Sequence, residues 1–234
     1  MTRTFKVLSL LLSYPTRELQ QAAPDLTAAL EAEGLVPAPE LRALNGLIGG
    51  IGEGDLYDMQ ARYVFLFDRT RSLSLHLFEH VHGESRDRGK ALVELGAMYE
   101  ERGFDIAARE LPDFLPLFLE YLSLIPLDEA RDLLNEPLHI VSAIKERLRK
   151  RRSPYWAVFR ALEKIAAGKP ERSDVLNLLS RPEDNPDDLE ALDAAWAETP
   201  VSFGPGENIG ECGIDRLAMQ VRAGRRAARD TAGQ

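Results

Sequence analysis

Three of the four histidines fall within seven residues, at His76, His80 and His82. His76-Leu77-Phe78-Glu79-His80 reads H-x-x-E-H. On an α-helix, residues four apart share a face, so His76 and His80 could hold one zinc ion. Glu79 could then act as general base on the bound water, as in inverted zinc peptidases. The pattern is short, and a catalytic zinc needs a third protein ligand. No downstream His or Glu is marked for that place, and Thr70 to Ser74 and Gly83 allow only a short helix. Zinc hydrolysis is therefore the second reading, and no catalytic and no metal-ligating residue is assigned.

The first reading is recognition. Asp68-Arg69-Thr70-Arg71 precedes the histidines and Glu84-Ser85-Arg86-Asp87-Arg88 comes after them. As a solvated, self-paired network these charges would contribute about 0–1 kcal/mol per pair. Every cation up to Lys90 is an arginine, however, whose rigid fork suits carbonyls, carboxylates and phosphates. Leu73, Leu75, Leu77, Phe78 and Val81 are interleaved with the polar groups. An apolar wall with Arg and His between its residues suits an amphipathic peptide, and imidazoles that titrate near ~6.5 could make its affinity depend on pH.

The elements that must position these residues are helical. Phe5, Leu8, Leu11 and Leu12 share a helix face. Thr16 can cap a second helix, with Pro24 as a break and Gly34 as its end. Pro39 suits the first turn of a third helix, after which the glycines at 49, 50, 52 and 54 read as a loop. Asp55 starts a helix with the stripe Leu56, Met59, Tyr63 and Phe67. Ser85 can cap a helix that runs to Arg102 over Ala91, Leu92, Leu95, Met98 and Tyr99, closed by Gly103. Asp113 can cap the next, with Pro116 in its first turn. From Phe114 to Leu124 that helix is apolar nearly all round, so it is central to the core or lines a groove. Pro126 and Pro137 divide the next segment. Ser153-Pro154 opens a helix with Trp156, Phe159, Leu162 and Ile165, ended by Gly168. The fold class is all-α: a single compact helical domain over residues 1–180 with a partly mobile tail over 181–234.

The tail begins acidic. Residues 182–200 carry seven Asp and Glu and no Lys or Arg, with one short helix expected near Leu189 to Trp196, and the last stretch is rich in Arg. The net charge of −9 argues against a general nucleic-acid binder. The run from Lys145 to Arg152 holds six cations and one Glu. It reads first as a helix's solvated end, and second as a contact for lipid headgroups or an acidic partner. Cys212 is the only cysteine, so no intrachain disulfide can form and the thiol is read as incidental. The apolar run Val7 to Leu12 is too short, and too soon followed by Pro15, Arg17 and Glu18, to be a signal peptide. No segment reaches the ~18 apolar residues of a membrane span, so the expected place is the cytoplasm. Gly204 to Gly210 misses a dinucleotide fingerprint by one residue and lacks a preceding strand.

Two stretches carry a resemblance. Tyr63 to Arg69 with Leu77 to Gly89, and Glu110 to Tyr121-Leu122, closely resemble the assembly chaperones of respiratory nitrate reductase. These belong to the wider group of molybdoenzyme-maturation chaperones. The similarity runs from the first helix to about Leu179. That pattern has His after Asp113 where this chain has Phe114, which implies a more apolar wall there. The resemblance implies a helical chaperone, not an enzyme. It would bind the N-terminal segment of the apo catalytic subunit of nitrate reductase, keep it competent for molybdenum cofactor insertion and delay its docking to the membrane subunit. No stably bound cofactor is implied; cofactor-delivery proteins are further candidate partners, and neither nucleic acid nor membrane insertion is expected. The residues expected to bind the peptide are Tyr63, Phe67, Asp68, Arg69, Arg71, His76, Phe78, Glu79, His80, His82, Glu84, Arg86, Asp87, Arg88, Asp113, Phe114 and Tyr121. A third reading is a helical scaffold or regulator with no client peptide.

Overall fold

The first helix, α1 (Arg3–Leu11), buries six of its nine residues. Phe5, Leu8, Leu11 and Leu12 are fully buried, as the shared face requires. Their main neighbour comes from more than a hundred residues away: α7 (Leu115–Leu124). The seam between the two is tied at both ends. Thr2 N–H donates to the Ser123 carbonyl at 2.7 Å, and Ser9 Oγ donates to the Pro116 carbonyl at 2.6 Å. The structure is a computed structural model, and it describes residues 1–81, 86–106 and 110–183. The stretch expected to be a mobile tail, with its short helix and Cys212, lies outside the described residues from 184 on.

Among the described residues there are eleven α-helices and no β-strand beyond one isolated bridge. The packing order is not the chain order. From α7 the contacts pass to α1, then to α3 (Ala23–Glu33) and α4 (Ala38–Glu53), on to α10 (Trp156–Ile165), α9 (Leu138–Lys150) and α11 (Arg172–Ser180). Thr16 caps α2 (Arg17–Gln21) by accepting from Leu19 N–H, and Gly34, at φ 64°, ends α3 in the left-handed conformation that glycine adopts without steric cost. Asp55 accepts from Tyr57 and Asp58 N–H to cap α5 (Leu56–Tyr63).

Four expectations are corrected. Gly49, Gly50 and Gly52 are not in a loop: α4 continues through them to Glu53, held by the buried Leu47, Ile48 and Ile51. A Cβ on Gly52 would lie 3.0 Å from Ala23 Cβ, so this glycine allows α4 close to the start of α3. Asp113 does not cap α7; Phe114 holds that position and the Asp113 carboxylate turns to the 76–78 segment. Gly168 does not end α10, which stops at Ile165; Gly168 N–H instead donates to Asn135 Oδ1 at 2.7 Å. The face-all-round helix α7 is core: Leu115, Phe118, Leu119 and Leu122 are fully buried, so it cannot wall an open groove with those residues. Helix α11 has no counterpart among the helices expected from the sequence. The Ser85 cap lies outside the described residues, but the helix it was to start, α6 (Arg86–Glu101), is present and is closed by Gly103 at φ 71°.

Candidate functional site

The histidine segment is not one α-helix. After α5 the chain makes a π-helical turn over Val64–Asp68, in which Arg69 N–H reaches back to the Val64 carbonyl. This wider turn buries Tyr63, Leu66 and Phe67 together and leaves Asp68 and Arg69 exposed. Short 3-10 turns come next, at Arg71–Leu73 and Leu77–His80.

The second of these turns is pinned by the segment before α7. Leu115 N–H donates to the Leu75 carbonyl at 2.8 Å and Leu77 N–H to the Asp113 carbonyl at 3.0 Å, which makes His76 and Phe114 an antiparallel bridge pair. Asp113 is fully buried. One carboxylate oxygen accepts Phe78 N–H at 3.0 Å and the other meets His76 Nδ1 at 3.3 Å. His76 keeps one edge at the surface, its side chain 29% exposed, and its ring lies 5.2 Å from the ring of Phe114. Burial works against charge on His76, but the hydrogen bond and charge of Asp113 outweigh it, aided by Glu79 and opposed by Arg88, so its pKa lies above the ordinary imidazole value. Nearby Asp68 is raised by partial burial, with the charge of His76 pulling the other way.

His80 has the opposite character. It is buried, and its Nε2 bonds the Ser74 carbonyl at 2.8 Å. Burial holds its pKa down to about 4 against that hydrogen bond, and the charges of Arg147 and Arg181 add to the depression. It is therefore neutral at pH 7. Glu79 pairs with Arg88 of α6 at 3.2 Å. Glu79 Oε2 and Arg88 Nε are buried and have no hydrogen-bond partner among the described residues.

This geometry removes the basis of the zinc reading. His76 is extended and His80 ends a 3-10 turn, so the two do not share an α-helical face. Each imidazole has a nitrogen committed to a protein oxygen. Among the described residues no three His, Cys, Asp or Glu side chains are grouped as a metal site would require.

The expected peptide-binding residues divide in two. Tyr63, Phe67, Phe78, His80, Asp113 and Tyr121 are buried. Tyr63 Oη donates to the Leu12 carbonyl at 2.8 Å, and Tyr121 packs on Tyr99 with ring centroids 4.6 Å apart. Phe67 meets Tyr155 edge to face. Asp68, Arg69, Arg71, His76, Glu79, Asp87, Arg88 and Phe114 reach the surface, wholly or in part. Arg69 stands over the ring of Phe65 at 6.0 Å. His82, Glu84 and the side chain of Arg86 lie outside the described residues.

Two residues that hold this region are not among those expected. Arg147 of α9 is buried and bridges two carbonyls, Ser72 at 2.7 Å and Leu178 at 2.6 Å. Arg181 donates to the His80 carbonyl at 2.6 Å. The signal for Arg147 is its spacing: it comes after Ile140, Ala143 and Ile144 on the inner face of α9. Nothing in the sequence marks Arg181.

Comparison with known proteins agrees with this architecture. The profile of a family described as "Nitrate reductase delta subunit" matches residues 17–161. The chain is 40% identical over 208 residues to the nitrate reductase molybdenum cofactor assembly chaperone NarJ of Escherichia coli (strain K12), covering 89% of this chain and 88% of that one. It is 41% identical over 198 residues to NarW of the same strain, named as a "Probable nitrate reductase molybdenum cofactor assembly chaperone", covering 85% and 82%. The crystal structure of a candidate redox enzyme maturation protein from Archaeoglobus fulgidus has the same fold, with a TM-score of 0.51 at 22% identity over 70% of this chain and 92% of that one.

Proposed function

The chain belongs to the nitrate reductase delta subunit family, and on that premise we propose that it is a system-specific assembly chaperone for nitrate reductase. The observation that carries this is the 40% identity to an assembly chaperone across 89% of the chain. NarJ and NarW are named as assembly chaperones and not as catalysts, and in this reading the chain is likewise not an enzyme. Its partner is the catalytic subunit of nitrate reductase before molybdenum cofactor insertion. It engages that subunit's N-terminal segment, in the cytoplasm, and delays docking to the membrane subunit. It holds no cofactor stably; cofactor-delivery proteins are further partners. Among the described residues no helix is long and apolar enough to cross a membrane.

The recognition face in this reading is the surface half of the expected residues. His76 and Phe114 form an aromatic step, and Arg69 and Arg71 stand at one end of the segment. Glu79 and Arg88, paired with each other and partly exposed, stand at the other. A peptide with apolar and acidic groups would find both kinds of partner there. The buried half, led by Asp113, fixes the backbone that presents them. The ordering cost of a flexible client segment keeps affinity moderate, so the client can be released once matured.

Co-purification tests this. The tagged chain should bring down one large apo catalytic subunit, most strongly when molybdenum cofactor supply is blocked. Recovery of no such subunit under that block would rule the proposal out.

A further inference from the structure

Helix α11 is short and shallowly seated. Of its nine residues only Leu178 is buried, and Leu176 is 55% exposed. It packs chiefly on α9. The chain reaches it through residues 166–171, which form no helix or strand. A helix of this length is marginal in water without a partner, and a single buried leucine gives little apolar area to hold it.

Polar ties hold its C-terminal end instead. The buried Arg147 guanidinium donates to the Leu178 carbonyl at 2.6 Å and to the Ser72 carbonyl at 2.7 Å. Arg181, directly after α11, donates to the His80 carbonyl at 2.6 Å. Glu183 then meets Lys150 at 3.2 Å and Arg151 at 3.4 Å at the end of α9.

The first two ties reach the same stretch of chain from opposite ends. Ser72 and His80 flank His76 and Glu79, and between them His80 Nε2 bonds the Ser74 carbonyl at 2.8 Å. If α11 leaves, the His80 carbonyl loses its Arg181 donor. The buried Arg147 also loses one of its two carbonyls, and a buried charge left short of a partner is costly.

We propose that α11 is a brace for the recognition segment: it undocks and redocks as one unit, and residues 72–80 loosen when it leaves. Only the role of residues 72–80 in recognition rests on the chaperone reading; the mechanical link does not. By linkage, a peptide that prefers the braced face favours docked α11 by the factor that docked α11 favours the peptide.

Native-state hydrogen exchange of the full chain in low concentrations of urea, followed by NMR, tests the brace. Two amides report on the segment: those of Leu73 and Val81, which share peptide groups with the Ser72 and His80 carbonyls and are bonded to Thr70 and Phe78. They should open together with the amides of Leu176 to Ser180, at lower cost than those of α1 and α10. Arg181→Gln, at an exposed position, should speed exchange in both groups by the same factor, about tenfold or more, and leave α1 and α10 unchanged. Arg172→Gln, exposed at the other end of α11, should change neither group. Opening of α11 while Leu73 and Val81 stay protected until global unfolding overturns the proposal. So does an Arg181→Gln effect on α11 alone or on neither group, or an equal effect of the two variants. Should Arg181→Gln fail to fold, the urea series on the unaltered chain decides. The N-terminal peptide of the catalytic subunit, where calorimetry shows it bound, should slow exchange in both groups. A bound peptide that slows the segment alone overturns the link. A peptide that does not bind counts against the chaperone reading, and exchange in the free chain still decides the brace.

Discussion

Asp113 holds His76 and Phe78 with its two carboxylate oxygens, at 3.3 and 3.0 Å, across 37 and 35 residues of sequence. A buried carboxylate with a backbone N–H on one side and an imidazole on the other is a clamp. It sets the geometry of a surface segment whose own regular structure is limited to short 3-10 turns. Asp113→Ala should orphan the Phe78 N–H and destabilise the protein by about 3 kcal/mol. Asp113→Asn keeps an acceptor for Phe78 and should cost less, while the His76 pKa falls back toward the ordinary value. Urea unfolding with imidazole titration by NMR checks both. A cost within about 0.5 kcal/mol for the alanine variant would show that the clamp carries no load.

His76 and His80 should give opposite pH dependences. The His76 pKa is raised by folding, so its contribution to stability is complete below the unfolded value of ~6.5 and is lost as pH rises through the folded value. The His80 pKa is lowered to about 4, so the unfolded chain binds the extra proton between about 4 and ~6.5. Its contribution is complete above that window and is lost as pH falls through it, to the extent of roughly 3 kcal/mol. Unfolding free energies measured from pH 4 to 9 should therefore slope down on both sides of a maximum. His76→Asn should flatten the alkaline side and His80→Gln the acid side. Identical profiles for both variants would contradict these assignments.

Arg147 should matter more for stability than its place in a basic run suggests. It is 3% exposed and satisfies two carbonyls from separate parts of the chain. Arg147→Met removes both bonds and should cost about 2–4 kcal/mol, whereas Arg149→Met on the same helix should stay within about 0.5 kcal/mol. Hydrogen exchange in α11 and in residues 71–75 should speed up in the first variant alone. Equal effects of the two substitutions would place Arg147 with the solvated cations.

Tyr63 is among the residues expected to touch the peptide, but its hydroxyl serves the end of α1. Tyr63→Phe should cost about 1 kcal/mol by leaving the Leu12 carbonyl short of a donor. Client-peptide affinity should be unchanged. A large loss of affinity with unaltered stability would put the hydroxyl at the client instead.

Helices with a clear apolar face are legible in the sequence, and so are their punctuation marks at Thr16, Gly34, Asp55, Gly103 and Pro116. What misleads is local chemistry that tertiary packing overrides. Four glycines suggest a loop, yet Leu47, Ile48 and Ile51 hold α4 helical through three of them. Asp113 has the side chain and spacing of a cap, but partners 35 and 37 residues earlier use it. The H-x-x-E-H pattern presumes an α-helix, and a bridge to Phe114 imposes an extended backbone at His76. For the candidate site, the sequence points to the right stretch but not to its division into surface and support. Leu77, Phe78 and His80 are buried while Glu79 between them is partly exposed, a difference that only the 3-10 turn and its long-range partner determine.

The proposal stands or falls on whether the surface carrying Arg69, His76, Glu79 and Arg88 receives the client's N-terminal segment. Calorimetry of the full chain with that peptide from the nitrate reductase catalytic subunit decides it. Saturable binding should be weakened at least about tenfold, or 1.4 kcal/mol, by Arg69→Glu and by Arg71→Glu, with the helical circular dichroism signal retained. Affinity unaltered in both variants would contradict the assignment of this face.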